Sequence, residues 1–384
     1  MKNNVKRSLT TAICGAMILT AASCGSNTRT ALTVDGKDIS AGIYIYYQMA
    51  ALGEAQTKLK EEQPDLDMNA DGFDITAYSV EDTPVTDWVK NRALEQCRKY
   101  VAVNNKFDEL GLSLSADETT EINEYVTQLW TETNMYAQYI YGVDILGDYY
   151  EKYGIGQQSF KNVYTISYKQ NAIFSALYGE GGSLEVSADE LKNYVAENYA
   201  LAEYLEISEG YDAQEYLAML ESGKTFPEMK QAYDTAKELA DIEKEMADAE
   251  ANGEEYTGTK PEELTVAASE ESELLRVIEK DSETPSADFV SSLFTLKNGE
   301  NNVIITTEET TDDDGNQTTD YTYYVASRLD ITANEEKMTE CTSDALHKMK
   351  DDEYDAAITA EADALSVSEN SAAMSRYTVK SLLK

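Results

Sequence analysis

Leu201-Ala-Glu-Tyr-Leu-Glu-Ile207, the turn Ser208-Glu-Gly210 and the segment that runs on to Gly223-Lys-Thr-Phe226 decide the fold of this chain. Alternate residues of the first stretch fall on opposite sides of an extended backbone. Apolar residues predominate on the side of Leu201, which predicts a short strand. A helix should follow, because apolar residues recur at helical spacing, namely Ala213, Tyr216, Leu217 and Leu220. Gly223 is suited to end that helix and Thr225 to cap the next one.

This order of strand, helix, Gly-x-x-Phe and helix resembles the opening of a parvulin-type prolyl isomerase domain. Farther along, Phe289-Val-Ser-Ser-Leu-Phe-Thr-Leu-Lys-Asn-Gly299-Glu resembles the segment before the last hairpin of that family. Tyr321–Leu329 resembles the closing strand. Parvulins twist an X-Pro bond, whose rotational barrier is about 20 kcal/mol, in an apolar pocket beside a hydrogen-bonded histidine pair.

The resemblance assigns candidate site residues by position. The first-strand histidine of the family aligns with Glu203 or Tyr204 and the last-strand histidine with Tyr324, so these tyrosines are the candidate catalytic positions. The candidate apolar walls for a bound substrate are Phe226, Met229 and Phe294. The one histidine of the chain, His347, lies outside both strands and off the apolar stripe of its helix, so we expect it to be exposed.

Two functions follow from the missing histidine pair. In the first, the isomerase fold is kept as a binding module without catalysis, within a chaperone. In the second, an active peptidyl-prolyl cis-trans isomerase works through a rearranged site.

The composition excludes some partners. The chain has 384 residues, enough for two or three domains, and a net charge of −41. Such a surface repels phosphate backbones and anionic lipid headgroups, so the sequence predicts no nucleic-acid binding.

The N-terminus has the features of a bacterial secretion signal. Basic residues precede an apolar run, Leu9–Ala22, which is too short to cross a bilayer as a stable helix. Cys24 follows Ala21-Ala22-Ser23, which resembles a lipoprotein cleavage box. We therefore expect a signal peptide at 1–23, lipidation of Cys24, a tether at 24–30 and a location on the extracytoplasmic face of the cell membrane. The alternative is ordinary cleavage after Ala22 or Ser23.

The first folded segment also carries a family resemblance. Val34-Asp-Gly-Lys-Asp-Ile39-Ser, in a predicted hairpin around Asp35-Gly36 with a helix starting near Ser40, resembles the N-terminal segment of the SurA and PrsA exported chaperone-foldases. Helices are then predicted over 86–110, 115–130 and 159–177. Ser115-x-x-Glu118 and Ser187-x-x-Glu190 are capping boxes.

The resemblance implies an α+β, mostly helical fold. A SurA N-terminal-like chaperone lobe at 31–185 is joined by C-terminal helices at 333–384, and a parvulin-like domain is inserted at 186–332. Residues 179–183 are expected to form a hinge, and 237–262 a charge-rich helical insertion. Residues 306–320 are expected to be a polar hairpin loop.

Two cysteines and one acidic loop are further candidate sites. Cys97 and Cys341 lie on apolar helical stripes, which predicts two buried thiols, with a disulfide between them as the alternative. Asp67-x-Asn69-x-Asp71-Gly72 has the spacing of the first half of a calcium loop, but position twelve is Tyr78. We therefore expect a solvated acidic loop, with calcium binding as the alternative, and predict neither a metal nor a cofactor.

The chaperone hypothesis implies unfolded or nascent exported polypeptides as partners, and the membrane through the lipid anchor. The 27 tyrosines suit it, because tyrosine combines an apolar body with a polar tip. A solute-binding lipoprotein would need two α/β lobes with repeated strand–helix alternation, and the long helical runs do not show this pattern.

Overall fold

The computed structural model describes residues 29–311 and 317–383, and over these ranges the chain has the predicted α+β, mostly helical fold. The strands are β1 (Thr30–Val34), β2 (Lys37–Ser40), β3 (Ser79–Val80), β4 (Thr83–Pro84), β5 (Tyr199–Ile207), β6 (Arg276–Glu279), β7 (Glu300–Thr311), β8 (Gln317–Leu329) and β9 (Val367–Glu369). The helices are α1 (Ala41–Glu62), α2 (Val85–Glu109), α3 (Ala116–Thr131), α4 (Met135–Tyr141), α5 (Leu146–Lys152), α6 (Gln157–Tyr178), α7 (Ala188–Asn198), α8 (Ala213–Glu221), α9 (Phe226–Asn252), α10 (Glu271–Leu274), α11 (Ala287–Thr295), α12 (Glu335–Asp363), α13 (Ser371–Met374) and α14 (Val379–Leu382).

The chain divides into two compact units. One comprises residues up to Leu177 together with those from Glu353 onward, and the other comprises Tyr178–Asp352. The second division lies inside α12 and not at residue 332, because Cys341 and Ala345 in the first half of that helix pack with Tyr199 and Leu201 of β5. The predicted signal peptide, Cys24 and most of the predicted tether lie outside the described residues.

The first unit begins with the predicted hairpin. Asp35 and Gly36 both have positive φ values, 47° and 75°, which is the backbone of the tight turn that twists with its strands. Ser40 then caps α1 by accepting a hydrogen bond from the Ile43 N–H. Strand β9 pairs antiparallel with β1 and completes a sheet of order β2-β1-β9. This strand was not predicted, since 333–384 was expected to be helical throughout.

The core of this unit lies between β1, β2 and helices α1, α2, α3 and α6. Tyr44 and Ile45 of α1 are buried against Cys97 of α2 and Phe160 of α6. The capping box at Ser115 and Glu118 starts α3 as predicted. No helix within residues 29–311 and 317–383 is long and apolar enough to cross a membrane.

The second unit is built on an antiparallel sheet of order β6-β5-β8-β7. Side chains of β5 alternate between two covered faces. Ala200 and Ala202 pack with α11, while Ile207 packs with α8 and α9. Gly223 has φ 94° after α8, and Thr225 and Glu228 form a capping box at the start of α9, which confirms the helix boundaries predicted here.

Two segments of this unit, predicted as an insertion and a loop, continue regular secondary structure instead. The charged residues after 237 continue α9, which runs unbroken from its capping box to Gly253, because no helix-breaking residue intervenes. Residues 306–311 and 317–320 were expected in a hairpin loop, but they extend β7 and β8, which stay paired out to Thr311 and Gln317. Threonine is a β-branched residue that favours strands, and the threonine-rich sequence accounts for this extension.

Candidate functional site

The two candidate catalytic tyrosines lie on neighbouring strands of the sheet. Tyr204 is on β5 and Tyr324 on β8, and both face α11. Their ring centroids are 6.2 Å apart, and the ring of Phe289 on α11 lies 4.8 Å from Tyr204 and 4.9 Å from Tyr324. These are contact distances for aromatic rings. The structure therefore brings the two tyrosines together, and the three rings leave no room for a prolyl ring between them.

The chemistry of these tyrosines differs from that of an imidazole pair. Burial, and then the Glu206 carboxylate and Tyr204, raises the pKa of Tyr324, so its phenol stays protonated at neutral pH. A phenol can donate or accept a hydrogen bond, but it does not exchange protons near pH 7 as histidine does. The pair therefore offers polar contacts without acid–base chemistry at that pH.

The candidate apolar walls are divided between the two faces of the sheet. Phe226 and Met229 are buried in a cluster with Ile207 and Val325, on the face opposite Tyr204. Phe294 packs on the α11 face. The structure does not combine these three residues into one pocket, because the first two form the core beneath α8 and α9.

Phe294 is held by Arg328 of β8. The guanidinium carbon lies 5.0 Å from the Phe294 ring centroid, and Nη1 donates hydrogen bonds of 2.8 Å to the carbonyl oxygens of Phe294 and Leu296. These bonds satisfy carbonyl groups at the C-terminal end of α11, which have no partner within the helix. Phe294 and Arg328 thus fix the end of this helix.

The first unit contains a cleft that the sequence did not place. Tyrosines and apolar residues of α1, α4, α5 and the C-terminal end line a space of about 510 Å³. The lining includes Tyr46, Met49, Leu52, Tyr141, Tyr149, Tyr150, Tyr153 and Leu382. We call this space the tyrosine cleft.

The rings that line the tyrosine cleft are packed on one another. Tyr141 stacks on Tyr149 with centroids 3.9 Å apart, and Tyr149 meets Tyr153 edge to face at 5.2 Å. Burial, followed by Tyr153 and Tyr141, raises the pKa of Tyr149 to about 12. The wall is therefore uncharged at neutral pH, with apolar ring faces and polar hydroxyl tips.

Short local signals position α4 and α5 beside the cleft. Asn134 caps α4, and Gly142 ends it with φ 66°, a conformation that glycine adopts without strain. A Cβ at Gly147 would lie 2.7 Å from Cγ of Trp130, so α5 can approach α3 this closely because residue 147 is glycine. Trp130 also donates a 2.9 Å hydrogen bond from Nε1 to Glu151 of α5.

Helix α4 presents apolar side chains to solvent. Met135 is 82% exposed, Tyr136 61% and Tyr139 88%. Such a group of exposed large apolar residues is unusual on a protein surface. The sequence contained a signal, since six tyrosines fall between residues 136 and 153, but periodicity could not show that four of them line one space.

The remaining candidates have structural roles. Cys97 and Cys341 are free and buried, as predicted, and burial raises the pKa of both thiols, that of Cys341 to about 11. His347 lies 2.8 Å from Asp351, and its side chain is about one-third exposed. In the calcium-like loop, Asp67 accepts a hydrogen bond from the Asn69 N–H. Among the described residues, no group of three or more His, Cys, Asp or Glu side chains is arranged to hold a metal ion.

Comparisons with known proteins give similar structures but no similar sequences. No protein-family model and no curated protein matches the chain. The foldase protein PrsA from Lactococcus lactis is 13% identical with a TM-score of 0.32, and the alignment covers 91% of this chain and 99% of that one. The foldase protein PrsA from Streptococcus pneumoniae is 14% identical with a TM-score of 0.33, over 77% of this chain and 93% of that one. Both structures are of PrsA foldases, the family that the sequence resembles.

Proposed function

We propose that this chain is a membrane-anchored extracytoplasmic chaperone that assists the folding of exported proteins. Its parvulin-like unit serves as a binding module without catalysis. Lipidation of Cys24 supplies the anchor, and unfolded or nascent polypeptides are the clients. An active prolyl isomerase of the PrsA type is the alternative. The observation that carries the proposal is the tyrosine cleft beside the exposed face of α4.

The cleft suits an unfolded polypeptide better than a defined small molecule. Its wall is made of stacked tyrosine rings, which bury apolar side chains of many shapes and keep hydroxyl groups for backbone contacts. The neighbouring Met135 adapts its shape readily, a property found in surfaces that bind varied partners. Both features favour low selectivity for client sequence.

The proposal predicts that α4 takes part in holding clients. In the variant Met135→Ser/Tyr139→Ser, suppression of aggregation of an unfolding protein should require a several-fold higher chaperone concentration. Binding of an unfolded client should weaken about tenfold, since loss of ~1.4 kcal/mol of contact free energy has that effect. Light scattering and fluorescence anisotropy measure the two quantities. Both residues are exposed, so the melting temperature should not change.

Met246→Ser is the matched control, because Met246 is an exposed methionine on α9 of the other unit. It should suppress aggregation as well as the wild type. Equal suppression by the α4 variant and the wild type would exclude the exposed face of α4 as part of the client site.

A further inference from the structure

Strands β7 and β8 form a two-stranded ribbon that continues beyond the rest of their sheet. Pairing of β8 with β5 ends at Ile207 and Tyr323, whereas β7 and β8 pair six residues farther, from Thr306–Thr322 to Thr311–Gln317. In the sheet order β6-β5-β8-β7, strand β7 is terminal. Its outer edge is therefore unpaired within the part of the chain that the structure describes. An unpaired edge of twelve residues is a template for another strand.

The hydrogen-bonding direction of β7 can be assigned residue by residue. The Val303 N–H donates to Asn302 Oδ1 at 2.9 Å, so this N–H is directed away from β8. The register from 300 to 311 has no shift, and backbone groups alternate in direction along an antiparallel strand. The backbone groups of Ile305, Thr307 and Glu309 therefore point to the free edge.

One face of the ribbon carries an apolar stripe that ends before Glu309. Ile305 lies opposite Tyr323, and Thr307 lies opposite Tyr321. Ile305 is 52% exposed, Tyr323 40% and Tyr321 60%. Residues two apart share a face of a strand, so these side chains form one exposed stripe. The stripe gives a neighbouring strand an apolar surface to cover.

The other face of the ribbon carries uncompensated negative charge. Glu308 lies directly opposite Asp320, and both are exposed. Like charges at directly opposite positions destabilise a strand pair. Between Lys297 and Arg328 the sequence has seven Asp or Glu residues and no Lys or Arg. A cation beside Glu308 would relieve this repulsion.

We propose that the outer edge of β7 binds an extended segment of a client polypeptide in which apolar and basic residues alternate. The segment adds to the sheet as a strand. Its apolar side chains lie beside Ile305 and Thr307, and a basic side chain lies beside Glu308. Positions 305 and 308 differ by an odd number, so their neighbours on the added strand point to opposite faces. This inference rests on the proposed chaperone function and names the client class.

The test compares three peptides on the full chain. A capped Lys-Val-Lys-Val-Lys-Val-Lys-Val peptide should bind at least about tenfold more tightly than a peptide with four Lys followed by four Val. An alternating peptide that is N-methylated at every residue, so that neither edge can donate hydrogen bonds, should not bind. Binding should weaken as salt is raised. Fluorescence anisotropy gives the affinities without any change to the protein.

A substitution locates the site on the ribbon. Thr307→Pro removes an N–H that points to the free edge and leaves the bonds to β8 intact, so it should abolish binding of the alternating peptide. Thr307→Val keeps that N–H, so this variant should still bind the alternating peptide. Equal binding of the alternating and block peptides would overturn the proposal, and so would binding that survives both N-methylation and Thr307→Pro.

Two further measurements distinguish this proposal from self-association through the same edge and from client binding at α4. If the wild type self-associates in sedimentation and Thr307→Pro makes it monomeric, the edge is occupied by a second copy and the client assignment is wrong. The Met135→Ser/Tyr139→Ser variant should bind the alternating peptide normally. Peptide binding without any suppression of aggregation by the wild type would refute the chaperone function and leave the edge site standing.

Discussion

Tyr204 and Tyr324 occupy the positions at which the resemblance to parvulins implies histidines, and Phe289 closes the space between them. Phe289 is fully buried, so its ring is a fixed part of the core and not a movable lid. Replacing both imidazoles by phenols also removes groups that titrate near neutral pH. At the scale of single residues, the geometry favours retention of the fold without isomerase chemistry.

We therefore expect negligible acceleration of X-Pro isomerisation in a tetrapeptide, measured by a protease-coupled assay. A tetrapeptide requires only the small site on the sheet and does not need the tyrosine cleft. A rate comparable to that of a histidine-bearing parvulin, abolished by Tyr204→Ala or Tyr324→Ala, would show that the tyrosines had taken over the catalytic role.

The capping boxes make stability depend on pH. The pKa of Glu118 is lowered by the backbone N–H of Ser115 and then by its hydroxyl, and the pKa of Glu190 by the hydroxyl of Ser187 and then by its backbone N–H. A carboxyl whose pKa is lower in the folded chain stabilises it above the unfolded value, near 4.5. That contribution disappears as the pH falls through the lowered folded-state pKa.

Glu118→Gln should therefore lower the melting temperature at pH 7, and the difference from the wild type should shrink between pH 5 and pH 3. Glutamine can still accept the capping hydrogen bonds but does not titrate. Circular dichroism melts at several pH values measure this. Glu124→Gln on the same helix controls for the change in net charge, and a difference that stays constant from pH 7 to pH 3 would contradict the expectation.

At the scale of elements, helix ends explain much of what the sequence predicts correctly. Serine and glutamate three residues apart identified the starts of α3 and α7, and Asp35-Gly36 identified the hairpin. These signals act within a few residues, so they can be read locally. Strand β9 could not be read in this way, because its pairing with β1 depends on residues near the other end of the chain.

Two glycines of the first unit should respond to alanine in opposite directions. Gly111, after α2, has φ 66°, which alanine adopts only with strain, so Gly111→Ala should destabilise the unit by about 1 kcal/mol. Gly53 is inside α1 and a Cβ there would meet nothing within 4 Å, so Gly53→Ala should stabilise it by about 0.5–1 kcal/mol. Urea titrations of both variants test the pair, and shifts of the same sign would contradict these assignments.

At the scale of the whole molecule, the proposed function depends on whether the protein is attached to the membrane. If Cys24 is lipidated, Cys24→Ala should move the exported protein from the membrane fraction to the soluble fraction, because two acyl chains make a stable anchor. Fractionation followed by immunoblotting measures this, and Cys341→Ala should stay in the membrane fraction. Full retention of Cys24→Ala in the membrane would refute the lipid anchor.

The candidate site was less predictable than the fold. The resemblance to parvulins correctly places Tyr204 and Tyr324 beside each other. It also assigns Phe226 and Met229 to the same pocket, although these two residues lie on the other face of the sheet. A one-dimensional pattern gives the order of elements but not which face each helix covers. The tyrosine cleft was missed for a related reason, since α1, α5 and the C-terminal end meet there from distant parts of the chain.

The pairing of β1 with β9 also sets an order of events during synthesis. Val34 and Val367 are partners but lie about 330 residues apart in the sequence. The sheet that contains β1 therefore cannot be completed until residue 367 has emerged from the ribosome. The inserted unit, Tyr178–Asp352, contains its own sheet and can form earlier. A chain that emerges N-terminus first would then carry an unfinished first unit while the second one folds. The protein would therefore itself pass through a stage at which it needs protection from aggregation.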